Sequence, residues 1–525
     1  MFNIRTSWKR TKDTLCKCAE WIVAVIGCLI IGYLTILVWL YFFNDENSIP
    51  MKTNILIQLL FCALIIGAIK LAGNALNKHA RAGRVISLLF FALTVSAVGL
   101  ICFSYVSQTL LLPISDGKSC FDIAVRFVNS EFGAVVPQGS YLSVWPYQTG
   151  FIFILEKLMR IFNTQEPLFF QQINCFYVLL IISAGYFVVC LISKKIEAQL
   201  IYLILMLNYW TLFFDVGVVY GDLPGLAWTM VSIACYFCFF RVSRKWQKSL
   251  SLIGFLCSTL LACVYKGNCL IYIVAVLLIT LVIQLKKVRP ALLITVAVTA
   301  LISIFATDIT QKYYESYAGN VCGRGMPATG WIAMGLQYNG KEAIPGGWNG
   351  YHTDVFLSND YNYEVSDAIF RESIKESLKE FADDPAFACD FFYNKTLKQW
   401  ANQTHGVWWG NGSYYDLSRD EDSFWVRFCA NKKYCGMLKY IDVHESIVYC
   451  ILALSAFSIL SQKCRKQKIE MWKLLPFVTF IGGFLFSLFW EGQTGTVMSY
   501  PIILLPTASA IWAETELAIK DRRSE

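Results

Sequence analysis

Charge is what this 525-residue sequence has least of: Asp, Glu, Lys and Arg make up 16% of it, against 56% hydrophobic residues and a mean hydropathy of +0.50. A soluble domain carries about 25% charged residues, so this balance excludes one. Histidine is scarcer still. The four present, His79, His352, His405 and His444, form no HExxH or other paired spacing, which leaves a zinc hydrolase without support. No complete GxxxxGK[ST] loop occurs, since Gly335 to Lys341 has the spacing but is followed by Glu342; this removes an ATP-driven pump, and no site for a redox cofactor is visible. The net charge of +8 is spread over short turns instead of one patch, and this argues against a nucleic-acid partner.

What is present is a series of apolar runs, near 20–43, 54–73, 84–107, 168–192, 198–214, 216–240, 248–264, 268–285, 290–307, 444–461, 472–490 and 495–514. Each is about 17 to 25 residues long, enough to cross a hydrocarbon core roughly 30 Å thick. The expected fold is therefore an all-α polytopic membrane protein of about twelve transmembrane helices. The first run lacks a small-residue cleavage site and reads as an anchor. Lys and Arg collect in alternate connections: Arg5 to Lys17, Lys70 to Arg84, Lys194 and Lys195, Arg241 to Lys248, Lys286 to Arg289, Lys463 to Lys473, and Lys520 to Arg523. The positive-inside rule makes that side cytoplasmic, with both termini inside, for a multi-pass protein of the cell membrane. The segment 151–162 is too short to span, and its Glu156, Lys157 and Arg160 share a helical face, so an interfacial helix is expected.

Four regions follow: 1–83, a cytoplasmic tail and two accessory spans; 84–307, a membrane module with an exterior loop at 108–167; 308–443, an exterior domain; and 444–525, the closing spans and tail. The first two spans join outside through Asn44 to Asn47 and show no chemistry. Most of the 19 cysteines lie within spans, where Cys acts as a small hydrophobe. Outside, Cys429 and Cys435 are close enough to pair, with Cys120, Cys322 and Cys389 as further candidates. Cys16 and Cys18 lack a second pair for zinc.

The exterior loop holds three acids, Asp116, Asp122 and Glu131, and ends in Trp145-Pro146-Tyr147. Phe121, Ala124, Val125, Val128 and Phe132 recur at helical spacing, with Asp122 on the opposite, solvated face and Ser115-Asp116-Gly117 where a cap would sit. Asp116 is thus either a helix cap or an acid facing the membrane surface. Further exterior connections set Asp215 and Asp222, then Lys266, then Glu491 at span ends; such groups line a wet cavity or site, or simply end a span, and Lys266 can also snorkel. In the long exterior segment the stretch 319–350 is glycine-rich. Two helices follow, one near 366–381 and one from about Pro385 whose Phe387, Phe391, Phe392, Leu397 and Trp400 stripe is expected on the membrane. Asn394, Asn402 and Asn411 begin glycosylation sequons, and Trp408 and Trp409 fit an aromatic belt.

Asp116, then Gly139-Ser140-Tyr141-Leu142 and Trp145-Pro146-Tyr147-Gln148-Thr149-Gly150, with Asp222 in the next exterior loop and Glu491 late, resemble the GT-C superfamily of polyprenyl-phosphate-sugar-dependent glycosyltransferases. The likeness is to the protein mannosyltransferase and aminoarabinose transferase branch and covers roughly 84–514, leaving the two leading spans as an addition. Gly495-Thr496-Val497 departs from the Arg-Tyr pair that follows the late glutamate in many relatives. The resemblance implies an inverting transfer of a sugar from a polyprenyl-phosphate donor to an acceptor hydroxyl on a glycan, lipid or protein at the exterior face.

In that scheme Asp116 is the general base and Lys266, with Arg324, binds the donor phosphate. Asp222 and Glu491 position the sugar or a divalent metal (Mg or Mn, with Asp222 the candidate ligand), and Tyr141, Trp145, Tyr147 and Gln148 support the acceptor and loop. The competing reading is a polytopic transporter or lipid-linked sugar flippase, which calls for acids near the bilayer midplane. A scaffold or polymer ligase would leave Asp116, Asp222 and Lys266 without a purpose.

Overall fold

A computed structural model describes residues 2–43, 50–338, 340, 344–407, 423–430 and 435–521, without the side chains of 2–10, 429, 430, 435 and 515–521. The Asn44 to Asn47 connection, the Cys429 to Cys435 pairing, Trp408 and Trp409, the Asn411 sequon and the Lys520 to Arg523 tail lie outside the described residues.

Long apolar stretches become long helices because, in lipid, only intrahelical bonds can satisfy the backbone. They are α1 (Phe2–Leu40), α2 (Ile55–Asn77), α3 (Ala80–Thr109), α7 (Pro167–Ile192), α10 (Asp222–Arg241), α11 (Lys245–Tyr265), α12 (Leu270–Lys286), α20 (Cys435–Cys464), α21 (Leu475–Phe489) and α22 (Ser499–Asp521). Among the described residues ten helical segments are long and apolar enough to cross a membrane, and two bent pairs bring the total to twelve. One pair is α8 (Ile196–Leu207) with α9 (Trp210–Phe214), bent by 48°; the other is α13 (Pro290–Ile304) with α14 (Ala306–Ala318), bent by 44°. At the first break Asn208 turns its side chain back to the Ile204 carbonyl, the kind of local competition that ends a helix. The chain is an all-α polytopic membrane protein.

The basic turns meet at one end of the bundle. Arg241 donates to the Leu191 carbonyl at 2.6 Å, Lys286 to Glu20 at 2.6 Å, Lys463 to the other Glu20 oxygen, and Lys473 to Glu514. Glu20 belongs to α1, which packs against α12, α20 and α21. The first of the leading spans is therefore packed into the bundle. A two-residue antiparallel ladder, Tyr41 opposite Lys52 and Phe42 opposite Met51, closes α1 onto α2.

At the opposite end lie α4 (Ser115–Val128), α5 (Tyr141–Val144) and α6 (Thr149–Phe162), then, beyond α14, α15 (Ala328–Gly335), α16 (Tyr351–Ser358), α17 (Tyr363–Asp383) and α18 (Pro385–Trp400); α19 (Phe424–Ala430) follows. Helix α6 is 14 residues, about 21 Å, too short to span. On its charged face Glu156 is buried, ion-paired with Lys157 and Arg160 and hydrogen-bonded by Tyr314 of α14, while the Arg160 side chain stays exposed. Phe121, Ala124 and Phe127 of α4 join the same small core, while Asp122 points outward and pairs with Lys118 at 2.5 Å.

The stripe on α18 is covered by protein, not by membrane. Phe391 packs on Phe381 of α17, while Leu397 and Trp400 enter the bundle core, where Trp400 donates to Ser487 at 3.0 Å. Cys120, Cys322 and Cys389 are free thiols. Asn402 is 1% exposed, so its sequon is closed to modification in the folded chain, while Asn394 is partly accessible.

Candidate functional site

The connections opposite the basic end converge on one cavity of about 1170 Å³, lined from Leu111–Gly117, Tyr147–Gln148, Asp215–Leu223, Cys263–Ile271, Ser303–Thr307, Ile344–Trp348, His405–Val407 and Trp490–Met498. That volume exceeds the 300 to 1,000 Å³ typical of small-molecule sites. Its apolar lower wall is made of span ends such as Leu112, Leu223, Leu270 and Ile304, and its polar wall comes from the loops.

Helix α4 begins at Ser115 and its N-cap is Ile114, so Asp116 is in the first turn and is not the cap residue. What sets its direction is the close approach of Gly117 to the loop before α10: a β-carbon there would lie 2.7 Å from the Val219 carbonyl oxygen. The Asp116 carboxylate is open to the cavity but walled by protein. Burial raises its pKa above the ordinary aspartate value, against the Tyr141 and Tyr220 hydroxyls, which hydrogen-bond to it, and the Lys266 charge.

Asp222 and Lys266 meet across the cavity floor, Nζ to Oδ2 at 2.8 Å. Gly221 makes this possible, because any β-carbon there would collide with the Tyr265 carbonyl oxygen. Lys266 also sits 4.0 Å from the centroid of the Tyr220 ring. Burial works against its charge, but Asp222 more than compensates and lifts its pKa above the ordinary lysine value. Gln148 donates to the Tyr220 hydroxyl at 2.6 Å, tying the first loop to the second.

Glu491 enters from the turn after α21. Burial pushes its pKa up to about 7, aided by Asp116 and opposed by Lys266 and Lys395. That turn is held by Lys395 of α18, whose ammonium donates to the carbonyls of Gly335 at 2.6 Å, Trp490 at 2.7 Å and Leu488 at 3.1 Å. Burial pulls the Lys395 pKa down to about 7, with Glu491 opposing.

Of the residues singled out in the sequence, Asp116, Asp215, Asp222, Lys266, Glu491, Tyr147 and Gln148 line the cavity. Tyr141 stands behind Asp116. Trp145 is set back with Trp331 and His352, at ring distances of 5.5 and 5.6 Å. Arg324 does not join them: its side chain is exposed, stacked 3.6 Å from the Tyr363 ring centroid and paired with Glu364 at 2.5 Å. A divalent metal fits poorly. Asp222 Oδ2 is engaged by Lys266, and among the described residues no three His, Cys, Asp or Glu side chains form a group that could hold an ion.

Sequence reasoning missed Lys395, Trp331, Trp348 and His352. Lys395 carried a signal, since it falls four residues after Phe391 within an otherwise apolar stripe. His352 carried none; it is buried against Trp331 at 4.4 Å and Trp348 at 4.8 Å, and burial lowers its pKa to about 4.

No curated protein and no solved structure matches this chain. A family is matched from residue 17 to residue 513, and by that match the chain belongs to the family described as conserved hypothetical integral membrane protein.

Proposed function

We propose that the protein is a membrane glycosyltransferase that moves a sugar from a polyprenyl-phosphate donor to an acceptor hydroxyl at the exterior membrane face. The observation that carries this reading is the juxtaposition, in one cavity with an apolar lower wall, of Asp116 and the Lys266–Asp222 pair. The apolar span ends suit a polyprenyl chain. The Lys266 ammonium suits its phosphate, and a fixed cation stabilises the charge that develops as the phosphate leaves. Asp116 takes the proton of the acceptor hydroxyl as that oxygen bonds to the anomeric carbon and the carbon–phosphate oxygen bond breaks. General-base assistance of this kind is worth about 10²- to 10⁴-fold. With Lys266 in place no metal step is needed, and Asp222 serves to hold the lysine.

The test is to incubate purified protein with a panel of polyprenyl-phosphate sugars and to follow released polyprenyl phosphate by mass spectrometry. Release by the wild type, abolished in Asp116→Asn with the fold intact, is the expected result; full release by that variant removes Asp116 from the mechanism. Transport is the second reading, favoured by two buried acids, Asp442 and Glu445, inside the α20 span. Ion-coupled uptake of a substrate without any release would select it.

A further inference from the structure

The loop after α18 is polar in sequence, Asn402-Gln403-Thr404-His405, yet each of these side chains is at most 3% exposed. It plugs the bundle near the ends of α1 and α9. Three of the four residues find partners. Asn402 accepts from the Thr404 amide and hydroxyl, and Gln403 both accepts from the Phe43 amide at 3.3 Å and donates to the Phe43 carbonyl. Thr211 of α9 closes the seam by donating to the Gln403 carbonyl at 3.1 Å.

His405 is the exception. Its backbone is left-handed (φ 46°), and among the described residues neither ring nitrogen makes a hydrogen bond. Its Nε2 stops 3.5 Å from Glu445 Oε1, which is also unbonded. The hydroxyls of Tyr209 and Tyr449, 1% and 0% exposed, act on the same carboxylate and have no hydrogen-bond partner either. Unmet polar atoms are costly anywhere in a protein interior and most of all within a membrane, where water does not reach to relieve them. Three side chains left short around one carboxylate that is itself short are the mark of a site whose ligand is small and polar. His405 also belongs to the cavity lining, beside Gly406 and Val407, with its side chain 0% exposed, so the cluster lies directly behind that wall.

We propose that Tyr209, His405, Glu445 and Tyr449 form a proton-binding site inside the membrane bundle, in exchange with the cavity through His405. A proton taken up from cavity water enters by the imidazole and comes to rest on Glu445 Oε1, where its O–H donates to Nε2, and the two tyrosine hydroxyls turn to donate to the same carboxyl group. Only N–H and O–H bonds form or break. Two more titratable groups border the pair. Asp442 accepts from Gln58 of α2 at 2.9 Å through one oxygen, and its other oxygen is unbonded; His444 is turned away, its Nε2 2.9 Å from the Leu205 carbonyl, with its ring against Tyr209. The site serves either functional reading: it is a proton sink beside a transferase cavity, or the coupling site of a transporter.

The chain has only four histidines, so ¹⁵N-histidine NMR of the full-length protein in lipid nanodiscs, assigned by His405→Asn, isolates this ring. Infrared titration of the same sample reads the carbonyl band of a protonated carboxylic acid. The expected result is a His405 signal and a carboxylic-acid band that change together over one pH window. Glu445→Gln removes the band and displaces the His405 window, and His405→Asn displaces the band. Glu445→Asp, a second variant, retains the coupled change if Gln at this position impairs folding. A carboxylic-acid component that titrates with His405 and survives Glu445→Gln, or windows that do not move when the partner is removed, overturns the proposal. So does a His405 N–H that fails to exchange with deuterium while the cavity is open to solvent.

Discussion

Lys395→Met is the most exacting probe of how the cavity is held. The lysine is fully buried and its ammonium binds three backbone carbonyls from two chain segments, the C-terminus of α15 and the turn after α21. Hydrogen bonds with a charged partner contribute roughly 1.5 to 3 kcal/mol each. Against their sum stands the desolvation of the ammonium, several kcal/mol, which methionine does not incur. The difference leaves a net loss of about 2 to 4 kcal/mol on substitution, since three carbonyls remain buried without their donor. The exposed Lys375, paired only with Glu372, provides the control: Lys375→Met should stay within about 0.5 kcal/mol. Unfolding in mixed detergent and SDS measures both. Because Trp490 and Glu491 hang on the held turn, Lys395→Met should also alter tryptophan fluorescence from the cavity wall and depress turnover. Equal stability of the two variants, with unchanged fluorescence, would refute the claim that Lys395 organises this wall.

Three more outcomes follow from the same geometry. Gly221→Ala forces the loop away from the Tyr265 carbonyl and parts Asp222 from Lys266, so it should cost about 1 to 3 kcal/mol and weaken donor binding, whereas Gly133→Ala, with open space around it, should be silent in the same assays. Glu491 titrates at about 7 in the fold and at about 4.3 in an unfolded chain, so the folded state binds its proton more tightly. Its contribution is therefore full below about pH 4.3 and lost as pH rises to about 7; Glu491→Gln should flatten stability across that window. Asp116, raised above the usual aspartate range of about 3.9, should make turnover fall with acidification earlier than an ordinary carboxylate would, and Asp122→Asn, on the solvated face, should leave that pH–rate profile unchanged.

The spans and the basic end were legible because both obey one-dimensional rules: a run long enough to cross lipid, and Lys or Arg gathered in alternate turns. Asp116, Asp222, Lys266 and Glu491 were legible for a related reason, since a charge at a span end stands out from its surroundings. Arg324 was misplaced by the same logic. It too is a cation in a loop between spans, but only the fold reveals that Tyr363 and Glu364 claim it. The membrane-facing reading of α18 failed, and the burial of Glu156 in α6 was not foreseen, because periodicity reports that a face is buried and cannot report against what. Glu156 and Phe391 both turned out to have protein partners from segments more than 100 and about 10 residues away, respectively.

The His405–Glu445 cluster marks a different limit. Glu445 begins an apolar run and His405 ends a polar loop, so each is unremarkable where it stands in the chain. Hydropathy assigns the first to a span and the second to the surface. What makes them a site is that a polar loop is drawn into the bundle, which the sequence can encode only through contacts as specific as Gln403 with Phe43. The transporter reading rested on acids deep in the bundle, and the fold supplies two, Asp442 and Glu445, beside the cavity that the glycosyltransferase reading requires. Charge at span ends and charge within a span therefore do not discriminate between these functions here. The discriminating property is whether protonation of Glu445 follows substrate turnover or substrate passage, and that is a property of the coupled pair and not of either residue alone.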